Sequence, residues 1–388
     1  MATKETKADK AKLTPEEKQA KKDAKALKKQ QKLENKTQST HPLDQDKMIA
    51  QIPVTDLQKA TKAQKEAIAN IKSTGEVRAI VKTYYQIQLM RIGTASQQRT
   101  NAELEQPDDF LLYLTNQYAQ LEKTIKGGLE KYVKGNAVGR WLLSLHGIGP
   151  VISAALMSHI DITKAPTAGH IWSFAGLIPG VTWEKGQKRP WNAELKTICW
   201  KAGQSFMKHS ANDKCYYGHI YRERKKMEWD RNLNGNFAKQ AIEAQQYYSD
   251  TTESYNWVMG FYDPNDIYNH MQAGVPLSPE NLAKIRLPKP TGTPMLPPGQ
   301  LDARGRRYAV KIFLSHLQAV MYYDHYKTDP PKPFVLAHLN HAHVIEPQGF
   351  VFDRVQGKLI IKAPQAADVG GDDVDNPDDI SDFLEGAN

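Results

Sequence analysis

Residues 141–156 place the strongest local constraint on the fold, because a Gly-Ile-Gly-Pro turn separates two apolar stretches. Gly147 can take the left-handed conformation that ends a helix, and Pro150 can begin the next helix, where its missing N–H costs nothing. Ile148 can fill the angle between the two helices. Small residues after Pro150 let the helices approach closely. The segment therefore predicts two helices joined by a tight turn, a helix-hairpin-helix.

The same turn predicts a phosphate-binding site. Gly149 has no Cβ, so another surface can approach its backbone closely. The N–H groups of Gly149, Val151 and Ile152 fall at the expected start of the second helix, where they have no intrahelical acceptor. Such a helix end suits a phosphate oxygen and carries no base information. The alternative is an ordinary helix-helix turn in which the glycines serve packing only.

A basic loop follows this turn. Lys185, Lys188 and Arg189 lie between Trp183 and Trp191, in a stretch punctuated by glycine and proline. This pattern is typical of surfaces that offer phosphate charge and stacking faces together. In the alternative interpretation, both tryptophans are buried and the charges are solvated. A further basic cluster extends the same surface; it consists of Arg222, Arg224, Lys225 and Lys226.

The charge distribution favours a polyanionic partner. The net charge is +9, and it would be +17 without the eight acids of residues 366–388. Residues 1–40 hold twelve lysines against six acids and almost no large apolar side chains. Nucleic acid is the simplest partner for such a chain, although the same composition also fits solubility alone. An acidic tail could compete for the basic face.

The hydrophobic pattern predicts a mainly α protein. A helical hairpin or coiled segment leads into a helix-hairpin-helix domain, and a small α+β unit lies near the C-terminus. The helical segment can pack as a hairpin in the core or pair with a second copy, which leaves a homo-oligomer open. The predicted divisions are a basic arm (1–45), a helical region (46–139), the helix-hairpin-helix domain (140–232), a Pro/Gly-rich linker (233–300), the α+β unit (301–365) and an acidic tail (366–388).

The sequence also indicates where the protein resides. It has two cysteines, a lysine-rich N-terminus and no apolar run long enough to span a bilayer. These features predict no membrane partner and a reducing, cytoplasmic and nucleoid-associated location.

Residues 110–210 resemble the C-terminal domain of transposases of the insertion sequence 110, 116 and 902 family. The motifs that carry the resemblance are Gly147 to Pro150, Gly176-Leu177-Ile178-Pro179, the loop from Lys185 to Arg189, and Asn192-Ala193-Glu194-Leu195-Lys196. The resemblance implies binding of DNA, or of structured RNA, and adds Asn192 and Lys196 to the candidate contacts. It also implies a role in transposition or recombination.

The chain departs from the family pattern at two places. The resemblance implies a nucleophilic serine after the Gly-Leu-x-Pro stretch, whereas Thr182 is the only hydroxyl residue from Gly180 to Gly186. It also implies an N-terminal RuvC-like domain whose acids bind Mg²⁺, and residues 1–110 show lysine-rich, helical character instead. We therefore expect that Thr182 is not a nucleophile. Catalytic residues and cofactor are left unassigned, with Mg²⁺ implied only if the chain is catalytic.

Two histidine-containing sets remain as weaker candidates. His338, His341 and His343 fall within six residues, but neither a strand nor a helix brings all three to one face. Structural roles are the favoured interpretation for them. Cys199, His209, Cys215 and His219 have irregular spacing for a zinc site. The sequence therefore assigns no metal site.

Overall fold

The computed structural model describes residues 60–71, 73–103, 109–331, 345 and 347–362. Within these residues the protein is mainly helical, with a single two-stranded sheet near the C-terminus, which confirms the predicted fold class. The elements are α1 (Lys62–Ala69), α2 (Thr74–Glu103), α3 (Asp109–Lys134), α4 (Ala137–Ser144), α5 (Pro150–His159), α6 (Ala168–Phe174), α7 (Ala193–Lys208), α8 (Tyr216–Leu233), α9 (Ala238–Ala244), α10 (Glu253–Met259), α11 (Pro264–Gln272), α12 (Pro279–Lys284), α13 (Pro298–Tyr326), β1 (Phe350–Asp353) and β2 (Lys358–Ile361).

The described residues divide into two units. Thr94–Gln117 belongs to the first, and within it Thr115 is buried and its hydroxyl donates a hydrogen bond to Thr94 Oγ1 at 2.8 Å. The described residues of 60–93 and 118–362 belong to the second. There, α2 and α3 are joined by a buried ion pair in which Arg91 Nε donates to Glu122 Oε1 at 2.6 Å.

The main core of the second unit surrounds α13. The helix packs against α4, α6, α7 and α8, and consecutive positions such as Ala309 and Val310, or Phe313 and Leu314, are buried. A helix that is buried around most of its circumference belongs to a core, because an exposed helix buries only one stripe. α13 is therefore a central element of the main core.

The interval 233–300 is not a linker. It contains α9 to α12 and forms a second core with the end of α8. The side chains in this core include Trp229, Phe237, Trp257, Tyr262, Ile267, Leu282, Met295 and Leu296. Pro264, Pro279 and Pro298 occupy the first position of a helix in each case, which is a favoured place for proline. Three of the eight prolines in the interval that indicated a linker therefore begin helices.

The two strands form a β-hairpin. They pair antiparallel from Phe350 with Ile361 to Asp353 with Lys358, and Gly357 in the turn has a φ of 60°. The sheet is tied to the main core through Trp141 of α4, whose indole N–H donates to the Gln348 carbonyl at 2.8 Å. No helix among the described residues is long and apolar enough to cross a bilayer.

His316 predicts a pH dependence of stability. It is buried in α13, where its Nε2–H donates to the Ile345 carbonyl at 2.7 Å and its Nδ1 accepts from the Tyr217 hydroxyl at 2.8 Å. Burial lowers the pKa of His316 from 6.5 to about 4, because desolvation disfavours the charged ring. The unfolded chain therefore binds a proton at a higher pH than the folded chain does. The contribution of neutral His316 to the free energy of unfolding is present above pH 6.5 and is lost as the pH falls toward 4.

We expect this histidine to remove on the order of 2 kcal/mol from the free energy of unfolding between pH 7 and pH 5. Urea unfolding of the unaltered chain and of His316→Gln at both pH values measures the effect, and the variant should lose most of the dependence. His325, which is exposed on the same helix, supplies the matched control His325→Gln. An equal pH dependence in all three proteins would contradict the assignment.

Candidate nucleic-acid interface

The turn between α4 and α5 adopts the backbone that its glycines and proline predict. After α4 ends, Gly147 has a φ of 93°, and the Ile148 N–H donates to the Leu145 carbonyl at 3.1 Å. Ile148 is 5 % exposed and belongs to the main core. Pro150 is the first residue of α5, with Gly149 as the N-cap. The turn is therefore fixed at one end by a left-handed glycine and at the other by a helix start.

The two glycines of this turn have different roles. Gly147 has a positive φ, and a Cβ there would lie 3.3 Å from Ser205 Oγ. Gly149 has a φ of −97° and a ψ of 174°, which any residue adopts, and a Cβ there would meet no atom within 4 Å. The fold therefore requires glycine at 147 and does not require it at 149. A glycine in open space leaves the backbone accessible from outside.

The N-terminus of α5 presents backbone donors beside Gly149. No side chain caps the helix, and the first backbone bond joins the Ser153 N–H to the Gly149 carbonyl at 3.0 Å. The N–H groups of Gly149, Val151 and Ile152 precede that bond and have no intrahelical acceptor. Val151 is 7 % exposed, and its side chain belongs to the main core. The arrangement can bind an anion through backbone N–H groups.

The basic loop is a compact turn with exposed charges. Lys185, Lys188 and Arg189 are all exposed. The Trp183 indole N–H donates to the Gln187 carbonyl at 2.6 Å, which closes the turn. The Arg189 guanidinium carbon lies 4.6 Å from the centre of the Trp183 ring, a cation–π distance. The loop therefore holds Arg189 against an aromatic face while its charge stays accessible.

The second tryptophan joins the loop to α7. A Cβ on Gly176 would lie 2.6 Å from Trp191, so the indole packs directly on that glycine. Lys196 Nζ lies 4.1 Å from the centre of the Trp191 ring. Asn192 is the N-cap of α7, and its side-chain oxygen accepts the Leu195 N–H at 2.8 Å. Both tryptophans of the loop are half-buried. They are therefore neither fully exposed as stacking faces nor fully buried, the two alternatives that the sequence left open.

Cations converge at the start of α7. Desolvation lowers the pKa of the Lys196 ammonium group, and the nearby Arg307 and Arg189 guanidinium groups lower it further. Like charges held close together destabilise one another in the absence of an anion. An anionic ligand at this place would relieve that repulsion.

Residues 139–218 match the family model of the transposase IS116/IS110/IS902 family. This match confirms the resemblance found in the sequence. The transposase-family segment contains the turn at Gly147, the basic loop and the whole of α7. Neither a curated protein nor a solved structure matches the chain.

Two residues of this surface were not predicted from the sequence. Arg307 lies on α13, outside the transposase-family segment, and only the folded chain brings it near Lys196. Trp200 is 58 % exposed on α7, one turn after Lys196. The run Arg304-Gly305-Arg306-Arg307 and the spacing of Trp200 from Lys196 were the available signals.

Thr182 lies in the transposase-family segment and is exposed just before Trp183. It stands near the place where the resemblance implies a serine. Its role stays a prediction from the sequence.

Three residues of the set Cys199, His209, Cys215 and His219 have other contacts. The Cys215 thiol donates to the His146 carbonyl at 3.4 Å, and His209 Nδ1–H donates to the Ser205 carbonyl at 2.8 Å. Cys199 is buried in the main core, and burial raises the pKa of its thiol to about 12. Among the described residues, no three His, Cys, Asp or Glu side chains are placed to hold a metal ion. The segment from His338 to His343 falls outside the described residues, as do the basic arm and the acidic tail.

Proposed function

We propose that this chain is a nucleic-acid-binding protein of a mobile element that contacts DNA phosphates through a helix-hairpin-helix and the basic loop. The observation that carries the proposal is the N-terminus of α5, which is uncapped and begins at a glycine that the fold does not require. The family match supports a role in transposition or recombination.

Two kinds of contact are proposed to act together. Backbone N–H groups at Gly149, Val151 and Ile152 receive a phosphate oxygen, for which a helix N-terminus is suited. Lys185, Lys188 and Arg189 add exposed positive charge, and Lys196 lies close enough to Arg189 and to Arg307 for their charges to add to it. Neither kind of contact reads base identity, so binding at this surface is largely independent of sequence.

A second candidate is an architectural or regulatory DNA-binding protein without catalytic activity. Thr182 favours it, because threonine carries a methyl group beside its oxygen and attacks poorly in a crowded in-line geometry. A nicking assay with Mg²⁺ on supercoiled and branched DNA separates the two candidates. If the unaltered chain nicks DNA and forms a covalent protein–DNA adduct, and Thr182→Ala loses that adduct, Thr182 is the nucleophile. If the unaltered chain does not nick DNA, the architectural role is favoured.

Duplex binding is expected to weaken steeply as salt rises. The logarithm of the association constant should fall linearly with the logarithm of salt concentration, with a slope of about 0.9 per phosphate neutralised. Replacing Lys185, Lys188 and Arg189 together by glutamine should reduce that slope by about 1 to 3. Fluorescence anisotropy of a labelled duplex over a range of salt concentrations measures both quantities.

The control for this experiment is the pair Lys239→Gln and Lys284→Gln, which removes exposed lysines from α9 and α12. It should leave the slope close to that of the unaltered chain. Salt-independent binding, or an equal loss of slope in control and loop variants, would refute the proposed surface. An RNA duplex of the same length tests the preference for DNA.

A further inference from the structure

A groove of about 330 Å³ lies between α8 and α11, and none of the residues proposed above lines it. One helical stripe of α8 forms one side of it, with Arg222, Lys226, Trp229 and Leu233 at three- and four-residue spacing. The stripe is cationic at its first end and apolar at its second. A groove of this size admits a single planar group with a charged substituent and is far too small for a duplex.

The rim carries positive charge. Arg222, Lys225 and Lys226 line the groove, with Asp230 as the one acidic lining residue among those described. Lys225 Nζ is 3.2 Å from Asp302, which satisfies that lysine. Lys226 is exposed and forms no ion pair with the described residues.

Arg222 is held in place at the same rim. Its guanidinium donates to His219 Nδ1 at 2.8 Å and to the Ser210 carbonyl at 3.1 Å, and its Nε is 3.9 Å from Glu223. The first two contacts are with uncharged acceptors. The side chains of the Arg222–Glu223 pair are both about half exposed, and an exposed ion pair of this length contributes little to stability. Lys226 and Arg222 therefore leave the rim complementary to an anion.

The floor of the groove is apolar and aromatic. Trp229 is 7 % exposed and packs with the second core. Met271 and Tyr268 of α11 and Leu233 of α8 also line the groove, and Tyr268 is 49 % exposed. An exposed tyrosine beside an apolar floor provides a stacking face for a planar ring.

We propose that this groove binds one unpaired nucleotide of a DNA substrate. Its base stacks on Tyr268 over the floor formed by Trp229 and Met271, and its phosphate is received by Lys226 and Arg222. Aromatic stacking accepts any base, so the site recognises the unpaired state and not the sequence. This inference rests on the proposed DNA-binding function and adds a preference for substrates with an extruded or unpaired base.

The test compares a DNA duplex that contains a single-nucleotide bulge with the same duplex fully paired, each titrated with the full chain. Tyr268→Ala should weaken binding of the bulged duplex about fivefold or more, which is the scale of one lost stacking contact, and leave the paired duplex within about twofold. Lys226→Gln should act in the same direction. With 2-aminopurine in the bulge, the unaltered chain should quench its fluorescence and Tyr268→Ala should not.

Two matched controls are available in the neighbouring elements. Tyr247 is 78 % exposed and Lys239 is exposed on α9, and neither lines the groove. Tyr247→Ala and Lys239→Gln should therefore leave the preference for the bulge unchanged. If Tyr268→Ala has no effect on the bulged duplex, or weakens both duplexes equally, the inference is overturned while the proposed function stands. If the unaltered chain binds neither duplex, the proposed function itself is refuted.

The other occupant to test is an acidic peptide. Residues 366–388 combine eight acids with Ile380, Phe383 and Leu384. If a synthetic peptide of that sequence binds the full chain in a manner that depends on Tyr268, while binding of the bulged duplex does not, the groove belongs to a peptide and the inference is overturned.

Discussion

Replacing Gly149 by aspartate is expected to stabilise the fold slightly and to weaken duplex DNA binding by about tenfold or more. The backbone at Gly149 has the extended conformation of an N-cap, and its Cβ would point into open space. Aspartate is a better N-cap than glycine, so its carboxylate should accept the free N–H groups of α5 and add a few tenths of a kcal/mol. The same carboxylate occupies the proposed phosphate site and repels a phosphate.

Two measurements test this prediction, duplex affinity by anisotropy and the melting temperature, and both are also made on two control variants. Gly149→Ser caps the helix without charge, so it should weaken binding less than aspartate. Gly299→Asp places the same charge in the first turn of α13, where a Cβ also meets open space, and should leave binding within about twofold. If Gly149→Asp lowers stability and affinity in proportion, the glycine serves packing and the alternative interpretation of the turn is correct.

Replacing Glu228 by glutamine is expected to reduce the free energy of unfolding by about 3 kcal/mol or more. Its carboxylate is fully buried, and Oε1 lies 2.6 Å from Arg224 Nη2 while Oε2 lies 3.6 Å from Arg304 Nη1. Glutamine keeps the shape and removes the negative charge that both guanidinium groups face. A buried cation that loses its compensating charge is costly, because the interior does not solvate it.

Urea unfolding measures this loss, and Glu223→Gln on the same helix is its control. The Glu223 side chain is 50 % exposed and 3.9 Å from Arg222, so its loss should cost under about 1 kcal/mol. A cost for Glu228→Gln as small as that of the control would show that the buried network does not stabilise the junction of α8 and α13.

The glycine turn was predictable because its signals are local. Gly147 needs a positive φ, Pro150 needs a helix start, and both conditions are met within six residues of chain. The sequence indicated a left-handed Gly147 and an accessible Gly149, but it could not show the space around either residue, because Ser205, which a Cβ on Gly147 would approach, lies 58 residues away. Only the folded chain shows which of the two glycines is free.

The linker was predicted wrongly because proline has the same sequence signature in a helix start and in an extended segment. Contacts between residues that are distant in sequence decide whether such a segment folds as helices or stays extended. Asn232 exchanges two hydrogen bonds with the backbone of Leu296, which closes the interval onto α8. The apolar residues of the second core are spread over several short helices, so no stretch of sequence showed a strong helical periodicity.

The basic clusters show the same limit for the candidate site. The exposed loop from Lys185 to Arg189 was found because its charges are adjacent in sequence and are not used by the fold. Arg224 was grouped with the surface cations next to it, yet it is buried against Glu228 and over the Tyr308 ring at 4.7 Å. Its neighbours Arg222 and Lys226 line the groove instead. Burial of a charge depends on partners that the local sequence does not reveal.

The response of the α5 amides to DNA tests phosphate binding at this turn directly. With ¹⁵N-labelled glycine, valine and isoleucine, the amide resonances of Gly149, Val151 and Ile152 can be followed as a duplex is added. Phosphate binding by these N–H groups predicts large downfield amide proton shifts at all three, reduced by high salt and lost in Gly149→Asp. A duplex that binds the chain while these three resonances stay unchanged would contradict the central claim that the backbone of this turn holds the DNA.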